Sequence, residues 1–120
     1  MIKKYFIDRE FYSLNDDKMH GDMGFTFCDM PSVAYNTFEE AEEDAIYGIE
    51  YQKKEQIDNN VEFDGEVDVY MVVEYEFEDE DYIFPDISME HKIVKAYMQE
   101  NCIADKVRKA WDYNCEIKTV

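Results

Sequence analysis

Residues 67–77 alternate between apolar and mostly polar side chains. The two sets are Val67, Val69, Met71, Val73, Tyr75 and Phe77 at the odd positions, and Asp68, Tyr70, Val72, Glu74 and Glu76 at the even ones. Because successive side chains of a β-strand point to opposite faces, this period of two is typical of a strand. The segment predicts the longest strand of the chain, with one apolar face and one mixed, acidic face.

A helix is predicted to begin after Thr37, a good N-cap residue that is followed three residues later by Glu40 in a capping-box pattern. The apolar residues of the segment fall on one helical face: Phe38, Ala41, Ala45, Ile46 and Ile49. Acidic residues crowd its first half, where the helix dipole favours anions: Glu39, Glu40, Glu42, Glu43 and Asp44. The pair Asn59-Asn60 predicts the end of the region.

The other elements are shorter. Strands are predicted at Ile2–Ile7, at Gly24–Cys28 and at Tyr82–Phe84, with a further strand over Cys115–Val120. Val61 and Phe63, followed by the turn residues Asp64-Gly65, predict a hairpin leading into the long strand. Two C-terminal helices are predicted, one with an N-cap at Ser88 and a stripe of Ile93, Val94, Tyr97 and Met98, the other over Ile103, Ala104, Val107, Ala110 and Trp111.

These elements predict a single α+β domain over residues 1–120, a length that suits one domain. Its sheet is expected to be mostly antiparallel, with about four or five strands, and to be covered by helices on one face. If the long strand from Val67 to Phe77 lies at an edge, it can pair with a second copy, so the chain is expected to be a monomer or a homodimer.

The chain is strongly acidic, yet its composition is typical of a folded protein. Thirty acids against twelve bases give a net charge of −18, while 46% of the residues are hydrophobic and 16% aromatic. A disordered acidic tail lacks that apolar supply, and solubility alone needs a charge of only about 2–8 in a small domain. The charge favours a basic protein partner, and disfavours nucleic acid and anionic membranes, which would be repelled. The alternative is acidity that serves only solubility.

The charge is unevenly distributed along the chain. No Lys or Arg occurs between Lys54 and Lys92, a stretch that holds fourteen acids, whereas five of the twelve bases lie between Lys92 and Lys109. We therefore expect one strongly negative side, built from the first helix, the hairpin and the long strand, and a C-terminal part closer to neutral. The predicted partner-binding residues are Glu39, Glu40, Glu43, Asp44, Tyr47, Asp68, Tyr70, Glu74, Glu76, Glu78, Asp79, Glu80 and Asp81.

Their spacing suits a mimic of nucleic acid. Alternate residues of a strand repeat about every 6.5–7 Å, so carboxylates on a sheet and an adjacent helix can sample positions near those of backbone phosphates. Tyrosines beside acids are expected to be exposed and to stack on arginines of the partner while carboxylates pair with them. They are Tyr12, Tyr35, Tyr47, Tyr51, Tyr70 and Tyr82.

Signs of catalysis are sparse. The sequence has no Gly-rich phosphate loop, no H-E-x-x-H and no G-x-S-x-G. His91 is expected on the surface of a helix N-terminus. A metal at Asp16, Asp17, His20 and Asp22 is disfavoured because their order does not match an EF-hand loop. We expect no enzyme activity, no cofactor and no metal.

The expected location is the cytoplasm. Three cysteines, Cys28, Cys102 and Cys115, without C-x-x-C spacing suit free thiols in a reducing compartment. The N-terminus becomes charged too soon for a signal peptide, and no apolar run approaches the length of a membrane span.

In its acid-only stretch from Glu55 to Glu90 and its acidic helix from Glu39 to Asp44, the chain resembles small acidic inhibitors carried by bacteriophages, namely anti-CRISPR, anti-restriction and other DNA-mimic proteins. The resemblance is one of composition. It implies a partner that normally grips nucleic acid, such as a CRISPR effector or a nuclease, in the cytoplasm of the host cell. Two alternatives stay open: an immunity protein or antitoxin that caps a basic toxin nuclease, and a non-catalytic structural or assembly module.

Overall fold

A computed structural model describes residues 2–25, 34–78 and 90–120. In chain order, the elements are β1 (Ile2–Ser13), β2 (Lys18–Phe25), α1 (Phe38–Asp58), β3 (Glu66–Phe77), β4 (His91–Met98), α2 (Ala104–Ala110) and β5 (Ile117–Thr119). Within these ranges, no helix is both long and apolar enough to cross a membrane.

The five strands form one sheet in the order β2-β1-β3-β4-β5. The long strands β1 and β3 pair antiparallel along their whole length, from Ile2 opposite Phe77 to Ser13 opposite Glu66. Only β4 and β5 run parallel, and α2 lies between them in the chain. The predicted α+β fold with a mostly antiparallel sheet is confirmed.

Strand β3 is buried on both faces, because its odd and even residues belong to two separate cores. The odd residues, such as Met71 and Val73, lie in a core that also contains Ala104 and Val107 of α2. The even residues Tyr70 and Val72 lie in a core with residues of α1: Ala41, Ala45 and Ile49. The two helices therefore lie on opposite faces of the sheet, whereas the sequence predicted helices on one face. The physical reason is that the acidic face of β3 is apolar at its centre.

Helix α1 is held at its start by the edge of β1. Tyr35 forms a two-way backbone bridge with Tyr5, with N···O distances of 2.9 and 2.8 Å. Two residues later, Thr37 adopts an extended backbone and its hydroxyl accepts the N–H of Glu40 at 3.2 Å, as the capping pattern predicts. The helix ends at Asp58 with Asn59 as its C-cap, and Asn60 takes the left-handed conformation with φ of 50°. Both predicted ends of the helix are confirmed.

Residues 91–98 form strand β4, so the predicted helix there is wrong. The strand carries a bulge, because Lys95 pairs with Val72 and Ile93 with Val73, which leaves Val94 as an extra residue. Of the predicted helical stripe, Ile93 and Met98 lie in the core with α2 and Tyr97 lies in the core with α1. Apolar residues on both faces of the strand therefore gave a spacing that resembles that of a helix. His91, expected at a helix N-terminus, instead lies in β4 with its ring 5.3 Å from that of Tyr75.

Three further expectations change. Residues 61–64 are not part of any strand, so the predicted hairpin before β3 is wrong; β3 pairs with β1 and β4 instead. Because β3 is central, its edges are both occupied and it cannot pair with a second copy. Strand β2 covers only the start of the predicted Gly24–Cys28 strand, and its remainder, the predicted Tyr82–Phe84 strand and Ser88 lie outside the described residues. The predicted second C-terminal helix and last strand are found as α2 and β5.

We predict that Ile49→Ala lowers the free energy of unfolding by about 2–5 kcal/mol, because it opens a cavity between α1 and the sheet. Ile49 is 1% exposed. Ile57→Ala on the same helix is the matched control, since Ile57 is 78% exposed and its change is expected to stay within about 0.5 kcal/mol. Urea unfolding followed by circular dichroism measures both; equal effects would contradict the packing of α1 on the sheet.

Candidate functional site

The outward side of α1 presents acids around two exposed tyrosines. We name this surface the α1 acidic face and define it by Glu39, Glu40, Glu43, Asp44, Tyr47, Glu50 and Tyr51. All seven are exposed and recur at helical spacing opposite the buried stripe of Ala41, Ala45 and Ile49. The Tyr47 and Tyr51 rings stack with centroids 6.4 Å apart and are 65% and 52% exposed.

Basic side chains leave the α1 acidic face almost unneutralised. Among the described residues, Lys95 makes an ion pair with Glu42, at the flank of the helix, with an N···O distance of 3.7 Å. No ion pair within the described part of the chain reaches Glu39, Glu43 or Glu50. Lys53 points instead to the backbone oxygen of Val120, 3.0 Å away. The surface therefore keeps its charge.

Tyrosine hydroxyls hold several carboxylates in place. On the α1 side, Tyr35 donates to Asp44 at 2.7 Å, Tyr97 donates to Glu42, and Tyr5 donates to Glu74 at 3.0 Å. Elsewhere the same pairing joins Tyr12 to Asp17 at 2.6 Å and Tyr113 to Glu10 at 2.7 Å. A phenol fixes a carboxylate but, unlike lysine or arginine, does not cancel its charge.

These bonds keep the phenols protonated well above neutral pH. The hydrogen bond to Asp17 raises the pKa of Tyr12 to about 12, and the hydrogen bond to Glu10 raises the pKa of Tyr113 to about 12. Burial, followed by the carboxylate bond, raises the pKa of Tyr35 and of Tyr97. All four hydroxyls are therefore available as donors under physiological conditions.

The predicted strand residues lie on the same side of the sheet as α1, but they are partly covered. Asp68 is half-buried and accepts the side-chain N–H of Gln52 at 2.8 Å. Tyr70 is buried under the helix, and its hydroxyl accepts a bond from the same Gln52 group at 3.1 Å. Glu74 is half-buried between Tyr5 and Lys3, whose ammonium lies 3.7 Å away. Only Glu76 is exposed.

The predicted residues thus fall into three groups. Glu39, Glu40, Glu43, Asp44 and Tyr47 gather on the outward side of α1, and Asp68, Tyr70, Glu74 and Glu76 line the sheet around and beneath the helix. Glu78 is exposed just after β3, while Asp79, Glu80 and Asp81 lie outside the described residues. The expected exposure holds for Tyr47 and Tyr51 but is wrong for Tyr12 and Tyr70, whose rings complete the two cores; Tyr35 is half-buried and Tyr82 lies outside the described residues.

Two members of the α1 acidic face, Glu50 and Tyr51, are not among the predicted partner-binding residues, and Tyr51 was predicted only as an exposed tyrosine that stacks on arginine. Glu50 lies seven residues after Glu43, so two helical turns place both on one face; extending the acidic stripe by helical spacing would have found it. The bond from Tyr35 to Asp44 has no local signal, because a backbone bridge to β1 brings the two together.

Charge separates the two sides of the sheet. The last thirty residues, 91–120, contain six Lys and Arg against four acids, so this segment carries +2 of the net −18. Three of these bases, Lys106, Arg108 and Lys109, are exposed on α2, which lies on the face opposite α1. Helix α1 holds eight acids against two lysines, so a strongly acidic helix lies on the face of the sheet opposite the bases of α2.

The β1–β2 turn, which holds the candidate metal ligands Asp16, Asp17 and His20, uses these polar groups for bonds within the turn and to β1. His20 bonds to Asp16 at 2.8 Å, which lowers the pKa of Asp16, and its ring stacks on Phe11 with centroids 5.0 Å apart. Asp17 is occupied by Tyr12. Among the described residues, no three His, Cys, Asp or Glu side chains are grouped for metal binding. Cys102 and Cys115 are free thiols.

Comparison with protein-family models, with curated proteins and with solved structures returned no match. Any function must therefore be argued from the chain's own surface chemistry.

We predict that stability falls steeply at alkaline pH. The folded-state pKa of Tyr12 and of Tyr113, about 12, exceeds the value of about 10 for an unfolded chain. Their contribution to stability is therefore fully present below pH 10 and is lost as the pH rises through 12. The measurement is the urea midpoint as a function of pH, with tyrosinate absorbance recorded in parallel. Tyr12→Phe is expected to reduce the fall; ionisation of all tyrosines near pH 10 in the folded protein would contradict the hydrogen bonds.

Proposed function

We propose that the chain is a non-catalytic inhibitor that occupies the basic, nucleic-acid-binding surface of a defence nuclease or CRISPR effector, acting as a nucleic-acid mimic through the α1 acidic face. The proposal places it in the cytoplasm, where such a target works. A basic toxin nuclease would be recognised by the same chemistry, so the recovered target decides between inhibitor and immunity protein.

The supporting observation is the linear charge density of α1. From Glu39 to Glu50 the helix advances by about 16.5 Å at 1.5 Å per residue. Six acids lie in that length, and only Glu42 has a basic partner among the described residues. The other five give about one charge per 3.3 Å, against about 3.4 Å for one strand of B-DNA. A channel that reads backbone phosphates thus meets a similar mean density of negative charge along the helix axis.

The exposed tyrosines add chemistry that phosphates lack. Tyr47 and Tyr51 form a stacked aromatic surface among the carboxylates of α1. An arginine can lay its guanidinium on such a ring while it pairs with an adjacent carboxylate. Together, these groups favour arginine-rich surfaces over isolated lysines.

The first test is a pull-down in which the purified protein is immobilised, exposed to a bacterial lysate treated with nuclease, and eluted with a salt gradient. Charge-driven complexes dissociate as salt screens them. We expect a nucleic-acid-handling protein to elute at moderate salt and to be displaced by duplex DNA or RNA. Retention of nothing at low salt, or no competition by nucleic acid, would contradict the proposal.

We predict that the triple variant E39K/E43K/E50K weakens binding of the recovered target by roughly 100-fold or more, because three attractive contacts become repulsive. The matched control is E100K/D112K/E116K, which changes three exposed acids near the C-terminus. Both variants have the same net charge of −12, from −18 + 6. Equal loss in the two variants, measured by titration calorimetry after circular dichroism has shown both to be folded, would mean that total charge rather than the α1 acidic face drives binding.

A further inference from the structure

A groove separate from the α1 acidic face exposes apolar side chains at one end of the molecule. It lies between the last turns of α1, the 61–66 segment and the chain after β4, and its volume is about 260 Å³. Val61 and Phe63 line it and are 58% and 52% exposed. Side-chain amides from Gln52, Gln56 and Gln99 form part of the opposite wall.

Val61 and Phe63 belong to a segment whose backbone is fixed by hydrogen bonds. The N–H of Val61 bonds to the carbonyl of Gln56 at 2.9 Å, and the N–H of Leu14 bonds to the carbonyl of Gly65 at 2.8 Å. Between them, the Asp64 carboxylate accepts the N–H of Glu66 at 2.9 Å. Gly65 has φ of +88°, which glycine adopts without strain. Backbone bonds therefore hold the segment while Val61 and Phe63 lie on its surface.

The acidic residues around this apolar groove indicate which kind of ligand it can bind. Among the residues that the structure describes, four acids line it, Glu62, Asp64, Glu66 and Asp68, and no Lys or Arg does. We infer that the groove takes one apolar side chain of the protein partner, flanked in the partner's sequence by Arg or Lys residues that pair with these carboxylates. The inference depends on the proposed function for the partner's positive charge. The groove would add a second, apolar contact with the partner, of a kind that a phosphate backbone does not make.

Other occupants fit less well. Small-molecule pockets are usually about 300–1,000 Å³ and mostly apolar, whereas this groove is smaller and has an acidic rim. A second copy bound groove to groove would bring eight carboxylates together, four from each chain, and like charges at an interface oppose association. A basic segment with a single apolar anchor satisfies both the lining and the rim.

The test uses three synthetic peptides and the ¹⁵N-labelled full chain, followed by amide chemical shifts. The peptides are acetyl-Arg-Leu-Arg-amide, the same peptide with Ser in place of Leu, and acetyl-Glu-Leu-Glu-amide. We expect the Arg-Leu-Arg peptide to shift Val61, Phe63 and Cys102, to bind at least about five-fold more tightly than the Ser peptide, and the Glu peptide not to bind. Equal affinity for the Leu and Ser peptides, or shifts confined to α1, would overturn the inference.

Variants separate the groove from the α1 acidic face. Phe63→Ser is expected to remove the advantage of Leu over Ser, while Tyr51→Ser, which changes an aromatic on α1 that is also 52% exposed, is expected to retain it. The E39K/E43K/E50K variant should also keep the preference for Leu, so failure of the proposed function and failure of the groove give different results. A preference that survives Phe63→Ser, or concentration-dependent dimerisation that Phe63→Ser abolishes, would contradict the assignment to a basic partner.

Discussion

Burial of β3 on both faces is the constraint on which the rest of this fold depends. Its odd residues form one core with α2, and Tyr70 and Val72 form a second core with α1. A strand of this kind has to lie at the centre of the sheet and needs a cover on each side. Since α1 is that cover on the acidic side of β3, the helix becomes the outermost layer there, and its exposed stripe becomes the surface that a partner meets.

Several carboxylates of this acidic chain are held by hydrogen bonds from tyrosine hydroxyls, which lets the domain fold while it stays strongly negative. A net charge of −18 opposes compaction by self-repulsion, and lysine partners would relieve that repulsion by removing the charge. Phenol donors such as Tyr35 and Tyr113 hold Asp44 and Glu10 while the charge remains. The high tyrosine content is therefore tied to the acidity, in addition to filling the two cores.

Local patterns predicted the parts of the fold that depend on local physics. The period of two in residues 67–77 and the capping box at Thr37 and Glu40 specified β3 and α1, because strand alternation and capping are short-range effects. Strand β4 was missed because it is apolar on both faces, with Met98 in one core and Tyr97 in the other, so its sequence does not alternate. The position of β3 at the centre of the sheet depends on pairing with β1, more than fifty residues away in sequence, which no local pattern encodes. Helical spacing predicted the acidic stripe of α1. It could not predict that α1 packs over Asp68 and Tyr70, because that contact depends on the tertiary fold.

The attachment of α1 has a consequence for how association proceeds. The helix is joined to the sheet by the Tyr35–Tyr5 bridge before its first turn, by Gln52 to Asp68 along its length and by Lys53 to the carbonyl of Val120. Its side chains are thus presented on a rigid support before any partner arrives, and little backbone conformational entropy remains to be lost on complex formation. A flexible acidic tail of equal charge would have to become ordered first, and would bind with correspondingly lower affinity per unit of contact area.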